Sequence, residues 1–148
     1  MKLAVELVPS GGWYSSLRSR VGRLVWDGIR KKAYEEAGYK CCICGSVGVL
    51  YCHEVWQYDD VEHIQRLLGF EALCFMCYVV KRIGCGSIGG MYSRFSSKVV
   101  IEHFMKVNKC SLADYNEYVS LAIVDWKKRC GYRWKCELGE YERLVKKV

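Results

Sequence analysis

Four of the ten cysteines in this 148-residue chain form two pairs with the spacing of metal ligands. Cys41 and Cys44 make one Cys-x-x-Cys pair, and Cys74 and Cys77 make a second one further along the chain. Each pair can place two thiolates of one tight turn on the same ion. Because four thiolates in a tetrahedron form the preferred structural zinc site, the spacing predicts a structural Zn²⁺ ion bound by these four residues.

A redox pair of the thioredoxin kind, or simply buried thiols, is the alternative interpretation of these cysteines, since free cysteine packs well in cores. Two pairs that bracket a hairpin favour the metal. Gly45 follows the first pair, as a knuckle turn requires, and the second pair leads into Tyr78–Ile83, a predicted helix whose N-terminus favours thiolates. We therefore expect loss of Cys74 to unfold this part of the chain.

The elements that must position these ligands are predicted from apolar spacing and from capping residues. A stretch rich in β-branched and aromatic residues, Val47–Trp56, predicts two short strands that turn at Gly48. Helices are predicted over Leu24–Ala37, from Asp59 or Asp60 to Gly69 with Ile64, Leu67 and Leu68 on its apolar face, from Ser97 to about Val107, from Ser111 to about Arg129, and over Glu140–Val148. The glycines at positions 84, 86, 89 and 90 predict a flexible loop.

A knuckle, a hairpin and a helix that carries the second ligand pair make a treble-clef zinc module. The sequence thus predicts the α+β class, with this ββα-metal module embedded in a mainly helical single domain that spans residues 1–148. Within it we expect an N-terminal arm over 1–23, the first helix and the zinc module over 24–84, and a helical C-terminal extension over 85–148.

The charge balance favours a polyanionic partner. The chain has 23 Lys and Arg against 16 Asp and Glu, a net charge of +7. Candidates to meet such a partner are Lys81 and Arg82, at the end of the zinc helix, and Arg94 and Lys98, after the glycine loop. Further basic residues could complete the path of a polyanionic backbone along this surface: Arg18, Arg20, Arg23, Arg30 and Lys31.

No stretch of the sequence predicts a membrane span or a secretory signal. The longest apolar run, Ala72–Val80, is too short to cross a bilayer. The N-terminal stretch has the charged Glu6 inside its apolar residues and no small-residue cleavage site. These features predict a cytoplasmic protein whose cysteines are reduced.

Several segments around the cysteines resemble the zinc-containing branch of the HNH endonucleases. More narrowly, the chain is similar to small bacterial and phage HNH proteins that share a Cys-His-Glu-Val-Trp segment. The likeness runs from about Ser10 to Asn108 and rests on these segments: Trp26–Arg30, Ala37–Cys41, Cys44–Gly45, Cys52–Trp56, Tyr58–Asp60, Ala72–Cys77 and Val80–Lys81.

The resemblance implies an active site on the hairpin. It implies that His53 acts as a general base for phosphodiester hydrolysis, with Glu54 beside it and a divalent ion such as Mg²⁺ nearby. It also implies DNA as the partner, with the zinc helix along a groove of the duplex and with phosphates at these side chains: Lys81, Arg82, Arg94 and Lys98. The location it implies is a bacterial or a host cell. A histidine suits this role because an unperturbed pKa of about 6.5 leaves it neutral at working pH.

Four positions depart from the family pattern. Cys52 stands where an acid or a histidine usually binds the ion, and Tyr78 stands where a second histidine ligand is usual. Gly69 replaces an asparagine, and Arg82 replaces a further histidine. A thiol and a neutral phenol are poor ligands for a hard cation such as Mg²⁺.

Two interpretations follow from these departures. Catalysis persists with a relocated ion, or the site is inactive and the fold is kept for binding. The residues that could hold a relocated ion are Glu54, Asp59, Asp60 and His63. The alternative function is a zinc-scaffolded interaction protein without catalytic activity, such as a phage-type regulator or inhibitor of a host protein.

Overall fold

The computed structural model describes residues 1–84 and 88–145 of the chain. It combines one three-stranded sheet with helices that make up about half of the chain, so the predicted α+β class is confirmed. The helices are α1 (Leu17–Arg20), α2 (Arg23–Glu36), α3 (Phe75–Lys81), α4 (Ile88–Phe95), α5 (Lys98–Asn108) and α6 (Leu112–Cys130), with 3₁₀ segments at Ser10–Ser15 and Gly139–Leu144. The strands are β1 (Tyr51–Asp59), β2 (Ile64–Leu73) and β3 (Lys135–Glu137).

The sheet is built on a long antiparallel hairpin of β1 and β2. Tyr51 pairs with Leu73 at its open end, and Asp59 pairs with Ile64 at its turn. A bulge between Val55 and Trp56 shifts the register in the middle. The short strand β3 adds to β2 in parallel, so that the strand order is β1, β2, β3.

The short helix predicted after Asp59 or Asp60 is wrong, because these residues lie in the hairpin turn. The Asp59 carboxylate accepts hydrogen bonds from the backbone N–H groups of Val61 (3.1 Å) and Glu62 (3.0 Å), which caps a turn and not a helix. His63 completes the turn in the left-handed conformation, at φ 52°. The following apolar residues then pair with β1, because they can bury one face of a sheet there.

The two strands predicted about Gly48 are also replaced by the hairpin. Residues before Tyr51 form a turn held by a single bridge between Lys40 and Val47. The predicted glycine loop is only partly a loop, since α4 occupies Ile88–Phe95, and Gly86 lies outside the described residues. The tail predicted as a helix over 140–148 forms the 3₁₀ segment Gly139–Leu144, and residues 146–148 lie outside the described part.

Three predicted helices are confirmed, as α2, α5 and α6. The start of α6 is a capping box. The backbone N–H of Asp114 donates to Ser111 Oγ at 3.2 Å, and the backbone N–H of Ser111 donates to Asp114 Oδ2 at 2.7 Å. Among the described residues, no helix combines the length and the apolar character needed to cross a bilayer.

The N-terminal segment, residues 1–9, packs inside the molecule against several helices. Leu3, Val5 and Leu7 are buried in the main hydrophobic cluster, which also contains residues of α3, α5 and α6. Backbone groups of the segment are tied to these helices by hydrogen bonds. Leu3 N–H donates to Asn108 Oδ1 (2.9 Å), Val5 N–H donates to Tyr118 Oη (3.0 Å), and Glu6 N–H donates to Lys81 O (3.0 Å).

A second hydrophobic cluster lies behind β2. It is formed by Leu17, Val21, Leu67 and Leu138, which brings α1, β2 and the C-terminal segment together. Trp26 of α2 packs against this cluster, with its ring edge-on to Phe70 at a centroid distance of 5.8 Å. The cluster holds α2 beside the hairpin, and so it sets the width of the gap between them.

Candidate functional site

The four paired cysteines meet at one point between a turn and a helix. Cys41 and Cys44 lie in a tight turn in which Gly45 N–H donates to Cys41 O at 2.9 Å, with Gly45 at φ 75°. Cys74 is the N-cap of α3, and Cys77 lies in the first turn of that helix. The four sulfurs all lie within 4.8 Å of one another, and no other group of three or more ligating side chains converges in the described residues.

The distance between two of these sulfurs matches the distance expected around a zinc ion. In a tetrahedron with Zn–S bonds of about 2.3 Å, neighbouring sulfurs lie about 3.8 Å apart. The Cys44 and Cys74 sulfurs lie 3.6 Å apart. The backbone N–H of Cys77 also donates to Cys74 Sγ at 3.5 Å, as expected for a thiolate. The cluster is therefore compatible with a structural zinc ion.

The electrostatics of the four thiols also favour a bound cation. Burial raises the pKa of the Cys77 thiol, and the charges of neighbouring cysteines, Cys41 first, raise it further. Burial also acts to raise the pKa of Cys44, but hydrogen bonds from Ser46 outweigh it and lower the pKa to about 6. Thiolates this close repel one another, so that all four can be ionised together only around a cation.

A histidine of α5 contacts the cluster from behind. His103 Nε2 lies 3.2 Å from Cys77 Sγ. Burial lowers the pKa of His103, and the charge of Lys106 lowers it further, so the ring is neutral. In the tautomer with the proton on Nε2, it donates to the sulfur and fixes the orientation of this ligand. No local pattern predicts this contact, because His103 and Cys77 are 26 residues apart along the chain.

We expect the substitution His103→Phe to weaken zinc binding by about 10- to 100-fold, because it removes the hydrogen bond and keeps a ring of similar shape. Competition with a chromophoric chelator measures the zinc affinity. His63→Phe is the control, since His63 stacks on Tyr132 and takes no part in the cluster. Equal zinc affinities of the two variants and the unaltered protein would contradict a role for His103.

The second site is centred on His53 in β1. The ring is 8% exposed, and its Nε2 lies 2.7 Å from Glu6 Oε2. The other oxygen of Glu6 accepts a hydrogen bond from Lys81 Nζ at 2.8 Å, and this ammonium also lies 3.5 Å from Glu71. Tyr78 packs edge-on against the histidine at 6.2 Å. His53 is therefore hydrogen-bonded to Glu6 at one end of a polar network that continues through Lys81 to Glu71.

This network corrects the expected role of Lys81. The side chain was expected to meet phosphate, but it is 10% exposed and lies between Glu6 and Glu71. Burial acts to lower the pKa of Lys81, and the charges of these two carboxylates outweigh it and raise the pKa. A buried lysine is normally paired with carboxylates that neutralise its charge. The ammonium of Lys81 therefore pairs with Glu6 and Glu71 and not with a phosphate.

The carboxylate of Glu54 does not pair with His53, although the two residues are neighbours in the sequence. Glu54 Oε1 accepts hydrogen bonds from Ser16 Oγ (3.0 Å) and Arg18 N–H (2.9 Å), and Oε2 accepts one from Trp56 Nε1 (3.2 Å). Glu54 thus fastens the start of α1 to the hairpin. The partner of His53 is Glu6, whose only sequence signal was a charge inside an apolar stretch.

In the described residues, the side chains that could hold a second, hard divalent ion do not converge beside His53, since Asp59 and Asp60 lie at the hairpin turn. Asp59 caps the hairpin turn and pairs with Arg66, and Asp60 pairs with Arg129 through both oxygens, at 2.7 Å each. Burial raises the pKa of Cys52 to about 12, and the charge of Glu54 acts in the same direction. Its thiol is therefore neutral, whereas Mg²⁺ requires several oxygen ligands in octahedral geometry.

Two adjoining cavities lie on the side of the hairpin that faces α1 and α2. One, of about 520 Å³, lies between α2 and the start of β1, and the other, of about 320 Å³, contains His53 and Glu6. We call the two together the arginine groove, because four arginines line it. They are Arg18, Arg23, Arg30 and Arg82, and the two cavities share Arg18, Trp26, Cys52 and Tyr78.

The remaining predicted phosphate contacts are placed differently. Arg82 lies at the end of α3 over the Tyr78 ring, at 5.2 Å from its centroid, and lines the groove. Arg94 donates from Nη1 to the backbone oxygen of Ile83 at 3.0 Å. Lys98 is exposed on α5 and lies 3.8 Å from Glu102. The groove therefore contains Arg82 but neither Arg94 nor Lys98.

Three comparisons with known proteins complete the description of the site. No protein-family model matches the chain, and neither a search of curated proteins nor a search of solved structures finds a match.

Proposed function

We propose that this chain is an HNH-like zinc protein that binds DNA. The proposal takes the cysteine turn, the β1–β2 hairpin and α3 as a treble-clef module held by Zn²⁺. Their order along the chain, with two ligands before the hairpin and two at the start of the helix, supports this assignment. The module orients the hairpin that carries His53, and α2 packs beside it.

The observation that carries the proposal is the arginine groove. Arg18, Arg23, Arg30 and Arg82 line two connected cavities in a protein of net charge +7. The acidic side chains in the groove are held by internal partners, for example Asp27 by Arg30 at 2.8 Å. Guanidinium groups bind phosphate oxygens through two parallel hydrogen bonds, so such a groove suits a nucleic-acid backbone.

Binding is the first function, because the candidate ligands of the ion that family catalysis needs do not converge beside His53 in the described residues. Glu54, Asp59 and Asp60 each have hydrogen-bond partners of their own, and Cys52 is a neutral thiol. The exchange of a histidine for Arg82 acts in the same direction, since it replaces a possible base or ligand with a permanent phosphate-binding group.

The contact between Glu6 and His53 favours a second function, phosphodiester hydrolysis. A carboxylate that accepts the Nε2 proton of an imidazole leaves Nδ1 as the proton acceptor. His53 is in this arrangement, with Glu6 Oε2 at 2.7 Å from its Nε2. In this state His53 could take a proton from an attacking water, which is the task of a general base.

The salt dependence of DNA binding tests the first function. Each phosphate contact contributes about 0.9 to the slope of log affinity against log salt concentration. We expect Arg18→Gln and Arg23→Gln each to weaken binding to duplex DNA and to reduce that slope by about 0.9 in fluorescence anisotropy. Lys32→Gln, an equal loss of charge at an exposed site of α2 outside the groove, is the control.

A cleavage assay separates the two functions. Supercoiled and single-stranded DNA are incubated with Mg²⁺, Mn²⁺ or Ni²⁺ and with either the unaltered protein or the His53→Ala variant. Binding without cleavage supports the first function. Cleavage that His53→Ala abolishes establishes the second. Neither binding nor cleavage would contradict both and favour a protein partner instead.

A further inference from the structure

The larger cavity of the arginine groove is a recess between a helix and a strand, and we call it the α2 pocket. Its helix wall consists of Trp26, Arg30 and Tyr34, and its strand wall includes Tyr51 and Cys52. Its volume is about 520 Å³. A recess of this shape admits a group that projects from a ligand, whereas a smooth double helix can only lie across its mouth.

The lining of the pocket is rich in aromatic rings. Tyr51 stacks on Tyr78, with ring centroids 5.1 Å apart and planes inclined by 27°. Trp26 faces the guanidinium of Arg18 at 5.7 Å. Nucleobases stack on such rings whatever their sequence, and arginine planes add to the stacking.

The charges of the pocket complement a phosphate and not a cation. Three arginines line it, Arg18, Arg23 and Arg30, against one acid, Asp27. Arg30 lowers the pKa of Asp27 through their hydrogen bond, so the acid stays ionised and paired. The balance of the lining is therefore positive, by two charges at neutral pH.

Part of the pocket lining is apolar. Val21 and Leu50 line it, together with the neutral thiol of Cys52. A base that enters leaves water and contacts carbon and sulfur, while its phosphate stays near the arginines. Aromatic rings, an apolar wall and cations in one recess are what unpaired nucleotides require, since paired bases do not expose their faces.

We propose that the α2 pocket binds one unpaired nucleotide of a DNA strand, with its base among Trp26, Tyr34 and Tyr51 and its phosphate at Arg18 and Arg30. This inference rests on the proposed DNA binding and adds the class of substrate. The protein then prefers DNA with an unpaired base, such as a bulge or a single strand, over fully paired duplex. The groove beyond the pocket holds the flanking backbone close to His53.

The test compares two labelled DNAs that differ by one nucleotide. One is a short duplex, and the other is the same duplex with a single bulged thymidine. Because a stacked base contributes about 1–3 kcal/mol, we expect the bulged duplex to bind about 5- to 150-fold more tightly. Tyr34→Ala and Arg30→Gln should reduce this preference. The control Tyr132→Ala, at an exposed tyrosine outside the groove, should leave it unchanged.

A cross-linking experiment locates the base. The bulged thymidine is replaced by 5-iododeoxyuridine, and the cross-linked residue is identified by mass spectrometry. Cross-links to Trp26, Tyr34 or Tyr51 support the proposal, and cross-links only to α5 or α6 overturn it. Equal, salt-sensitive affinity for both DNAs overturns the proposal alone. Failure to bind either DNA overturns the proposed function and this inference together.

Discussion

Replacing Cys74 with serine is expected to abolish zinc binding and to unfold the part of the chain built on the cysteine cluster. Serine is itself a good N-cap, so the substitution keeps the cap of α3 and removes only a metal ligand. A structural zinc ion contributes on the order of 10 kcal/mol to folding. A loss of this size exceeds the whole stability of most small domains.

Two measurements check this expectation. Metal analysis should find about one zinc ion per unaltered chain and none in Cys74→Ser, and circular dichroism should show loss of the native signal. Cys42→Ser is the matched control, because Cys42 is exposed and lies beside Cys41 without joining the cluster. A folded Cys74→Ser variant with the unaltered midpoint of urea unfolding would contradict a structural role for the metal.

Replacing Lys81 with methionine is expected to destabilise the protein by about 3–5 kcal/mol, because it removes one partner of a buried ion pair. Methionine fills a similar volume, so the loss reports the charge and not a cavity. The carboxylates of Glu6 and Glu71, which both face this ammonium, would be left without its charge. Urea unfolding at neutral pH measures the change in the free energy of unfolding.

A control variant and a double variant make this test specific. Lys98→Met removes an ammonium that is exposed on α5, and we expect it to change stability by less than about 0.5 kcal/mol. Adding Glu6→Gln to Lys81→Met should recover part of the loss, because it removes one of the unpaired charges. If Lys81→Met and Lys98→Met unfold at the same urea concentration, the buried network has no net role in stability.

The network of His53, Glu6 and Lys81 also makes the free energy of unfolding depend on pH. Burial acts to raise the pKa of Glu6, but His53 and Lys81 outweigh it and hold the pKa below the usual value of 4.5. A lowered pKa means that the contribution of Glu6 is complete above the pKa of an unfolded glutamate. It is lost as the pH falls through the lower, folded value. Lys81→Met should weaken this loss in acid.

Local patterns in the sequence predicted the features that depend on neighbouring residues. The Cys-x-x-Cys turns and the capping box at Ser111 are written in short stretches, and both appear in the structure. The β1–β2 hairpin was missed because Ile64, Leu67 and Leu68 have helical spacing. The bulge between Val55 and Trp56 interrupts the regular alternation of side chains along β1. The conformation of such a strand is decided by its pairing with residues that are distant in the sequence.

Contacts between distant segments explain the errors at the candidate site. The sequence predicts Lys81 as a surface cation, because nothing near it in the sequence indicates Glu6 and Glu71 as its partners. Glu54 adjoins His53 in the sequence, but its hydrogen bonds go to α1 and Trp56. Of the four predicted phosphate contacts, Lys81 and Arg82 line the groove and Arg94 and Lys98 do not, and the Lys81 ammonium is paired with carboxylates, since burial and pairing are properties of the folded chain.

The contacts between the N-terminal segment and α6 have a kinetic consequence during synthesis on the ribosome. Val5 is held by Tyr118, and Trp126 Nε1 donates to Val8 O at 3.0 Å. The segment can therefore dock only after α6, which lies more than 100 residues further along the chain, has been made. Pairings of such long range slow folding, so the cysteine turn and α3 have time to bind a metal ion before His53 meets the Glu6 carboxylate.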